Sequence, residues 1–280
     1  MINTVYHYTS IEALMKMLHI PNDTEKQIVK VNKESGYGYY LTFYATDAYM
    51  MNDRMEHRLI LDRVDKLIPK NLRTKYNSEI ASIGTPYVVS FCSERDYIPM
   101  WKIYAQNKTG VCLQFDLSEE NMEILKSINS DREIYSDYMC FDECKYETLP
   151  ALKAYIKTQI IEIENEYKCL PEGQISREYP FLSLYKNGIL YKGEEWSYEK
   201  EWRLVWWCNH NKIKSGKYGA TSYQEIKIPL RFLKEILISP SGDQEIVRYG
   251  LQKWIEANDL QRLEQYGIDL KISCSSSSLR

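Results

Sequence analysis

The residues WSYEKEWRLVWW, Trp196 to Trp207, decide how this chain is read. From Glu199 to Trp207 the run is dense in β-formers and predicts a strand. Side chains alternate across a strand, so Glu199, Glu201 and Arg203 fall on one face, with Lys200, Trp202 and Leu204 on the other. Two carboxylates two positions apart then stand about 7 Å from each other. In that arrangement one can stabilise a cationic, oxocarbenium-like centre while the other orients or deprotonates a nucleophile. The same face also reads as a solvated strand surface on which Arg203 neutralises its neighbours.

Working outward, short strands and helices alternate without a regular βαβ rhythm, so the chain reads as α+β rather than a doubly wound parallel sheet. Strands are expected at Val5 to Tyr8, Gln27 to Val31, Gly36 to Ala45, Tyr87 to Cys92, Gly110 to Asp116, Ile226 to Pro229, Glu235 to Ser239 and Leu270 to Ser273. Thr9 with Glu12 reads as a capping box opening a helix whose apolar face is Ile11, Leu14, Met15 and Leu18, ended by Pro21. Further helices are expected from Thr46 into the 50s and 60s, at Leu149 to Tyr167 and at Asp243 to Ala257, with a turn or short helix around Trp101. No repeat, linker or charge block divides the 280 residues, so residues 1–280 read as one domain with a mainly helical insert at about 150–188.

Composition excludes several classes. Lys and Arg number 36 against 39 Asp and Glu, a net charge of -3, which rules out a broadly basic nucleic-acid coat. No apolar run approaches a membrane span, the start MINTVYHYTS has no signal-peptide pattern, and seven irregularly spaced cysteines read as reduced thiols, so a cytoplasmic protein without a membrane partner is expected. Twenty-four tyrosines and six tryptophans beside six phenylalanines suit either half-buried packing or a wet cleft that stacks rings. No GxxxxGK[ST], HExxH or GxSxG occurs, and Gly36 to Gly38 lacks the rest of a dinucleotide fingerprint. Cys140, Cys144, Cys208 and His210 do not have the usual zinc spacing, and no metal is expected.

Two further segments carry chemistry. In YHYTS, Tyr6 to Ser10, His7 ends a strand just before a helix N-terminus, where backbone N–H groups suit an anionic or hydroxyl-rich ligand; the imidazole also reads as a core histidine bonded to a backbone carbonyl. In FYATDAYMMNDRME, Phe43 to Glu56, Thr46 offers a hydroxyl and Asn52 with Asp53 a polar pair; in MWKIYAQNKTG, Met100 to Gly110, Trp101 and Tyr104 offer rings for stacking or for the core.

The order YHYTS, ATDxxxMND, SFC, MWxxYAxNxxGVCLxFD, WSYEKEWRLV, KEILISP, from Val5 to about Ser239, resembles a bacterial domain-of-unknown-function family grouped with the ADP-ribosyltransferase-like superfamily. The resemblance implies a split, two-sheet α+β core around an NAD cleft, with peripheral helices. It implies that His7 contacts the nicotinamide-side ribose, with Tyr8 and Thr9 beside it and Tyr44 or Thr46 at the second-strand position. Glu201 is the catalytic glutamate and Glu199 its upstream partner in this mapping, with Tyr44, Trp101 or Tyr104 against the nicotinamide; Asn52 is a further candidate for NAD binding to which the resemblance assigns no role. The expected activity is NAD-dependent mono-ADP-ribosyl transfer, NAD being the co-substrate, to a macromolecular acceptor. A nucleic-acid base, as in RNA or DNA, is favoured slightly over a protein side chain. A toxin or anti-phage role with an antitoxin or regulatory protein partner follows from the same resemblance. NAD hydrolysis at the same site and a silent nucleotide- or protein-binding module are the alternatives.

Overall fold

A computed structural model describes residues 4–20, 38–51, 63–104, 110–129, 138–169, 180–209, 211–216, 219–240, 242–258, 260 and 268–277. The chain runs β1 (Thr4–Ser10), α1 (Ile11–Met17), β2 (Leu18–His19), β3 (Tyr40–Asp47), α2 (Arg73–Ser82), β4 (Thr85–Cys92), α3 (Ile98–Tyr104), β5 (Gly110–Asp116) and α4 (Glu119–Asn129). It continues with β6 (Tyr138–Glu143), β7 (Lys145–Glu147), α5 (Leu149–Cys169), α6 (Pro180–Gly188), β8 (Tyr191–Gly193), a 3₁₀ segment (Glu194–Glu199), β9 (Glu201–Cys208), β10 (Lys212–Gly216), β11 (Gly219–Pro229), β12 (Leu233–Ile238), α7 (Gln244–Ala257) and β13 (Lys271–Cys274).

Eleven strands form one mixed sheet whose main path is β10-β11-β3-β4-β1-β5-β12-β13; β7 and β8 form a separate parallel pair. The sheet forks at β4. One edge of β4 pairs with β9 along its whole length, from Thr85↔Cys208 to Cys92↔Glu201. The other edge pairs with β3 at Tyr87 and Val88 and with β1 at Cys92, so β3 and β1 part company around Ser90. Gly84 sits where β4 begins beside the end of β9, and a Cβ there would meet the backbone carbonyl carbon and oxygen of Cys208 at 2.2 Å. Only glycine fits that approach.

The period of two in each strand sorts the layers. One face carries Val5, Leu41, Phe43, Val89, Phe91, Leu113, Phe115, Leu204 and Ile226, covered by Leu14 and Met17 of α1, Met122 and Leu125 of α4 and Leu251 of α7. On the other face, α3 covers Tyr8, Cys92 and Cys112 with Met100 and Trp101, while Tyr185 of α6 joins Ile189 over Val88, Val205 and Trp207. Within the 150–188 stretch the described residues form α5 and α6. α5 buries Leu152, Ile156, Ile160, Ile163 and Tyr167, a stripe at helical spacing, against Phe181 and Leu184 of α6 and Tyr76 of α2. Each such side chain contributes roughly 1.5–3 kcal/mol on burial.

Several expectations need correction. Ser10, not Thr9, caps α1: its hydroxyl accepts the Ala13 N–H at 3.1 Å, because β1 carries Thr9 on in register with Val111 of β5. The buried side chains of α1 are Leu14 and Met17, three apart; Met15 is exposed, and Leu18 has already left the helix for β2. β3 runs two residues past Ala45, so Thr46 lies in a strand rather than opening a helix. The expected strand at Gln27 to Val31 lies outside the described residues.

Candidate functional site

The carboxylates singled out in the sequence meet at the start of β9. Glu199 is not on the strand. It closes the 3₁₀ segment, and Lys200, at a left-handed φ of 46°, reverses the chain before β9 begins at Glu201. The strand model fails there because a residue in that conformation cannot continue the pleat. The turn brings both carboxylates onto one cation. Lys192 Nζ, from β8, donates to Glu199 Oε2 at 2.5 Å and to Glu201 Oε2 at 2.8 Å, holding the two carboxylates nearer each other than strand spacing predicts. Arg203, two positions on and on the same face as expected, grips Glu201 with Nε to Oε1 at 2.9 Å and Nη2 to Oε2 at 3.1 Å, and donates from Nη1 to the Ile189 carbonyl at 2.5 Å. The solvated-face alternative does not hold, because Lys192, Glu199, Glu201 and Arg203 are all buried.

Two cations and two carboxylates make this quartet internally neutral, which is how charges are tolerated in a dry interior. Burial alone would raise the Glu201 carboxyl, but the charges and hydrogen bonds of Arg203 and Lys192 outweigh it and hold the group at about 2. The backbone is fixed as well: the Glu201 N–H donates to the Tyr146 hydroxyl at 2.7 Å, and the Cys144 N–H to the Glu201 carbonyl at 2.9 Å.

The quartet reaches the surface through aromatic residues. Tyr104, at the end of α3, donates its hydroxyl to Glu199 Oε1 at 2.9 Å, while the residue as a whole is 42% exposed. Burial of the hydroxyl beside the Glu199 charge raises its pKa well above the usual phenol value. Trp196 of the 3₁₀ segment is partly exposed, with its ring 5.5 Å from Lys192 Nζ. Both carboxylates are buried; Glu199 is the one bonded to the surface residue Tyr104, and Glu201 the one gripped by Arg203.

The other expected site residues do not gather here. His7 points to the face opposite Glu201: it is in register with Leu113, whereas Glu201 is in register with Cys92, which pairs with Tyr6. Its Nδ1 bonds the Ser90 carbonyl at 2.9 Å in the fork between β1 and β3, and its ring meets Phe43 and Phe91 edge-on. Desolvation among those rings lowers its pKa, only partly offset by the Ser90 bond. The carbonyl-bonded alternative is the one realised.

Tyr8 is buried, donating to the Glu94 carbonyl at 2.7 Å and accepting from the Tyr97 N–H at 2.8 Å. Trp101 is fully buried rather than a stacking platform: its ring packs edge-on to Tyr8 and its Nε1–H donates to Asp96 Oδ1 at 2.9 Å. The three-residue spacing that paired it with Tyr104 spans a seven-residue helix whose buried side takes Trp101 while the Tyr104 ring stays outside. Tyr44 and Thr46 lie on the outer side of β3, Tyr44 exposed and Thr46 in register with Val88. Asn52, like Asp53 and His210, lies outside the described residues.

Lys192 and Tyr146 were not read from the sequence. Lys192 stands inside the apolar run GILYKG, where a lone buried lysine announces a carboxylate partner; nothing local marks Tyr146. Among the described residues no three His, Cys, Asp or Glu side chains gather as a metal-binding group, and no helix is long and apolar enough to cross a membrane.

Residues 100–204 match the sequence model of a family described as a protein of unknown function (DUF2971). The matched span begins in α3 and ends inside β9, so it includes Tyr104 and every member of the quartet. No curated protein and no solved structure matches the chain.

Proposed function

We propose that this chain is an NAD-dependent mono-ADP-ribosyltransferase acting on a macromolecular acceptor, with Glu199 as its reacting carboxylate. The observation that carries the reading is the convergence of two buried carboxylates on Lys192 under a half-exposed tyrosine and a tryptophan. The fork of β1 and β3 along β4 supports reading the sheet as a split core of the ADP-ribosyltransferase-like kind.

In this reading Tyr104 swings off Glu199, and the cationic nicotinamide ring lies against Trp196. The bond between nicotinamide and the ribose anomeric carbon breaks, and its electron pair leaves with nicotinamide. Glu199, through the ribose 2′-hydroxyl, stabilises the positive charge that develops on the sugar. The acceptor's nucleophile bonds to the anomeric carbon and gives its proton to solvent. Glu201, Lys192 and Arg203 are positioning residues: Lys192 ties Glu199 to Glu201 and Arg203 fixes Glu201, an arrangement that needs no rearrangement in the reaction. Glu201 was the catalytic residue expected from the resemblance; its bidentate hold on Arg203 moves that role to Glu199.

The test is incubation with labelled NAD⁺ and cell extract, followed by separation of protein, RNA, DNA and small molecules. Label in one polymer, lost with Glu199→Gln, is the expected result; label only in free ADP-ribose makes the chain a hydrolase. The internal neutrality of the quartet favours a second reading, a binding module without turnover. Saturable NAD⁺ binding without nicotinamide release selects it.

A further inference from the structure

The outward face of β3, β10 and β11 is built unlike an ordinary solvated sheet. The helices packed against these strands, α1 and α4, send Leu14, Met17, Met122 and Leu125 into the core on the opposite face. β11 buries Ser222, Gln224, Ile226 and Ile228 inward and leaves Thr221, Tyr223, Glu225 and Lys227 outward. β3 does the same, with Leu41, Phe43 and Ala45 in and Tyr40, Thr42, Tyr44 and Thr46 out. Their register sets Tyr223 beside Thr46, Glu225 beside Tyr44 and Lys227 beside Thr42.

Rings and lysines interleave across this grid. Tyr44 and Tyr223 meet edge-on at 5.5 Å, and Lys214 Nζ of β10 stands 4.7 Å from one ring centre and 4.9 Å from the other. Lys227 Nζ lies 5.0 Å from the centre of the Tyr40 ring. Glu225 is the one carboxylate on this grid among the described residues, and Lys212 binds it at 2.7 Å. Three lysines against one glutamate leave this face positive in a chain whose net charge is -3. Tyr44 is exposed and Tyr40 and Tyr223 are half-buried beside it, and a solvated face needs neither such a cluster of rings nor a local excess of one sign. Bases stack on exposed aromatic rings while the phosphates seek lysines, and a row of hydroxyls beside the rings suits a ribose 2′-OH.

We propose that this face binds single-stranded RNA, with Tyr44 and Tyr223 as stacking surfaces and Lys212, Lys214 and Lys227 on the phosphates. The threonines between the rings meet the sugar hydroxyls. The inference rests on the sheet face and not on the carboxylate site, though it gives that site an acceptor class.

Fluorescence anisotropy of a short labelled oligouridine, without NAD⁺, tests it. Three phosphate-bound lysines predict that log K falls with log salt at a slope of about −2, and Lys214→Gln reduces the slope by about 0.7. Tyr44→Ala and Tyr223→Ala each weaken binding roughly tenfold; Lys214→Gln, at a half-buried side chain over the two rings, keeps the melting temperature and guards against a folding artefact. The DNA oligomer of the same length binds more weakly. Absence of binding, affinity untouched by these variants, equal competition by polyglutamate, or equal affinity for the DNA oligomer each overturns the proposal. Glu199→Gln retains RNA binding, so RNA binding without NAD⁺ turnover overturns the transferase reading alone.

Discussion

Replacing Glu201 by Gln removes one negative charge from the buried quartet and leaves Arg203 without a carboxylate. The cost follows from the titration of the group. A carboxyl that ionises at about 2 in the folded chain and 4.5 in the unfolded one contributes about 3 kcal/mol at neutral pH, from a difference of about 2.5 pH units at ~1.4 kcal/mol each. Breaking a buried ion pair by removing one partner costs about 3–5 kcal/mol, so the two routes agree. For a chain of this size that lowers the melting temperature by roughly 6–12 °C. The folded pKa is depressed, so the stabilisation is fully present above pH 4.5 and is lost as pH falls toward 2. Thermal melts of the native chain and Glu201→Gln at a series of pH values read this directly. The gap is expected at pH 7 and narrows below pH 4.5. A variant that melts with the native protein at pH 7, or a gap that does not change with pH, refutes the quartet as a net source of stability. The same experiment sets the temperature at which any loss of activity in this variant can be read as chemistry.

Tyr104→Phe removes one hydrogen bond to Glu199; stability is expected to shift by no more than about 1 kcal/mol, while NAD⁺ turnover changes at least several-fold if that hydroxyl latches the ring over the carboxylate. His7, whose pKa is lowered by desolvation and only partly restored by its bond to the Ser90 carbonyl, is mostly neutral at pH 6.5 with its proton on Nδ1, and nitrogen NMR that finds it mostly charged at that pH contradicts the desolvation of the ring. Asp96, at φ 56°, takes hydrogen bonds from Trp101, Ser275, Ser276 and Ser277. Asp96→Asn keeps the backbone shape and weakens that hold, so amide exchange at 275–277 accelerates with little change at β9. Gly84→Ala drives a Cβ into the Cys208 backbone and is expected to cost about 3 kcal/mol or more, seen in a urea titration.

The strands were legible where a short apolar run had clear turn signals at its ends. Gly110–Asp116 is the clearest instance, because Val111, Cys112, Leu113 and Phe115 sit between a glycine and a polar turn. The helix at Leu149 was equally plain from its stripe of Leu152, Ile156 and Ile160. What local pattern could not give was the fork of β4, since nothing within Thr85–Cys92 says that its far edge serves two different strands. The Glu199 error has the same origin. A Glu-x-Glu spacing looks like one strand face, and the left-handed Lys200 that breaks it is a tertiary choice, made where Lys192 waits for both carboxylates. Trp101 and Tyr104 are a third instance: helical spacing placed them together, while burial under Tyr8 on one side and a half-exposed ring on the other separated their roles. The Arg203–Glu201 pair, by contrast, followed directly from the period of two.

We propose that Glu199, backed by the buried ions, carries NAD⁺ chemistry. Release of nicotinamide from labelled NAD⁺ by the native protein and by Glu199→Gln, both confirmed folded at the assay temperature, tests it without knowing the acceptor. The account predicts release by the native chain in the presence of cell extract and background release by the variant. Equal release by both, or none by the native chain, contradicts it.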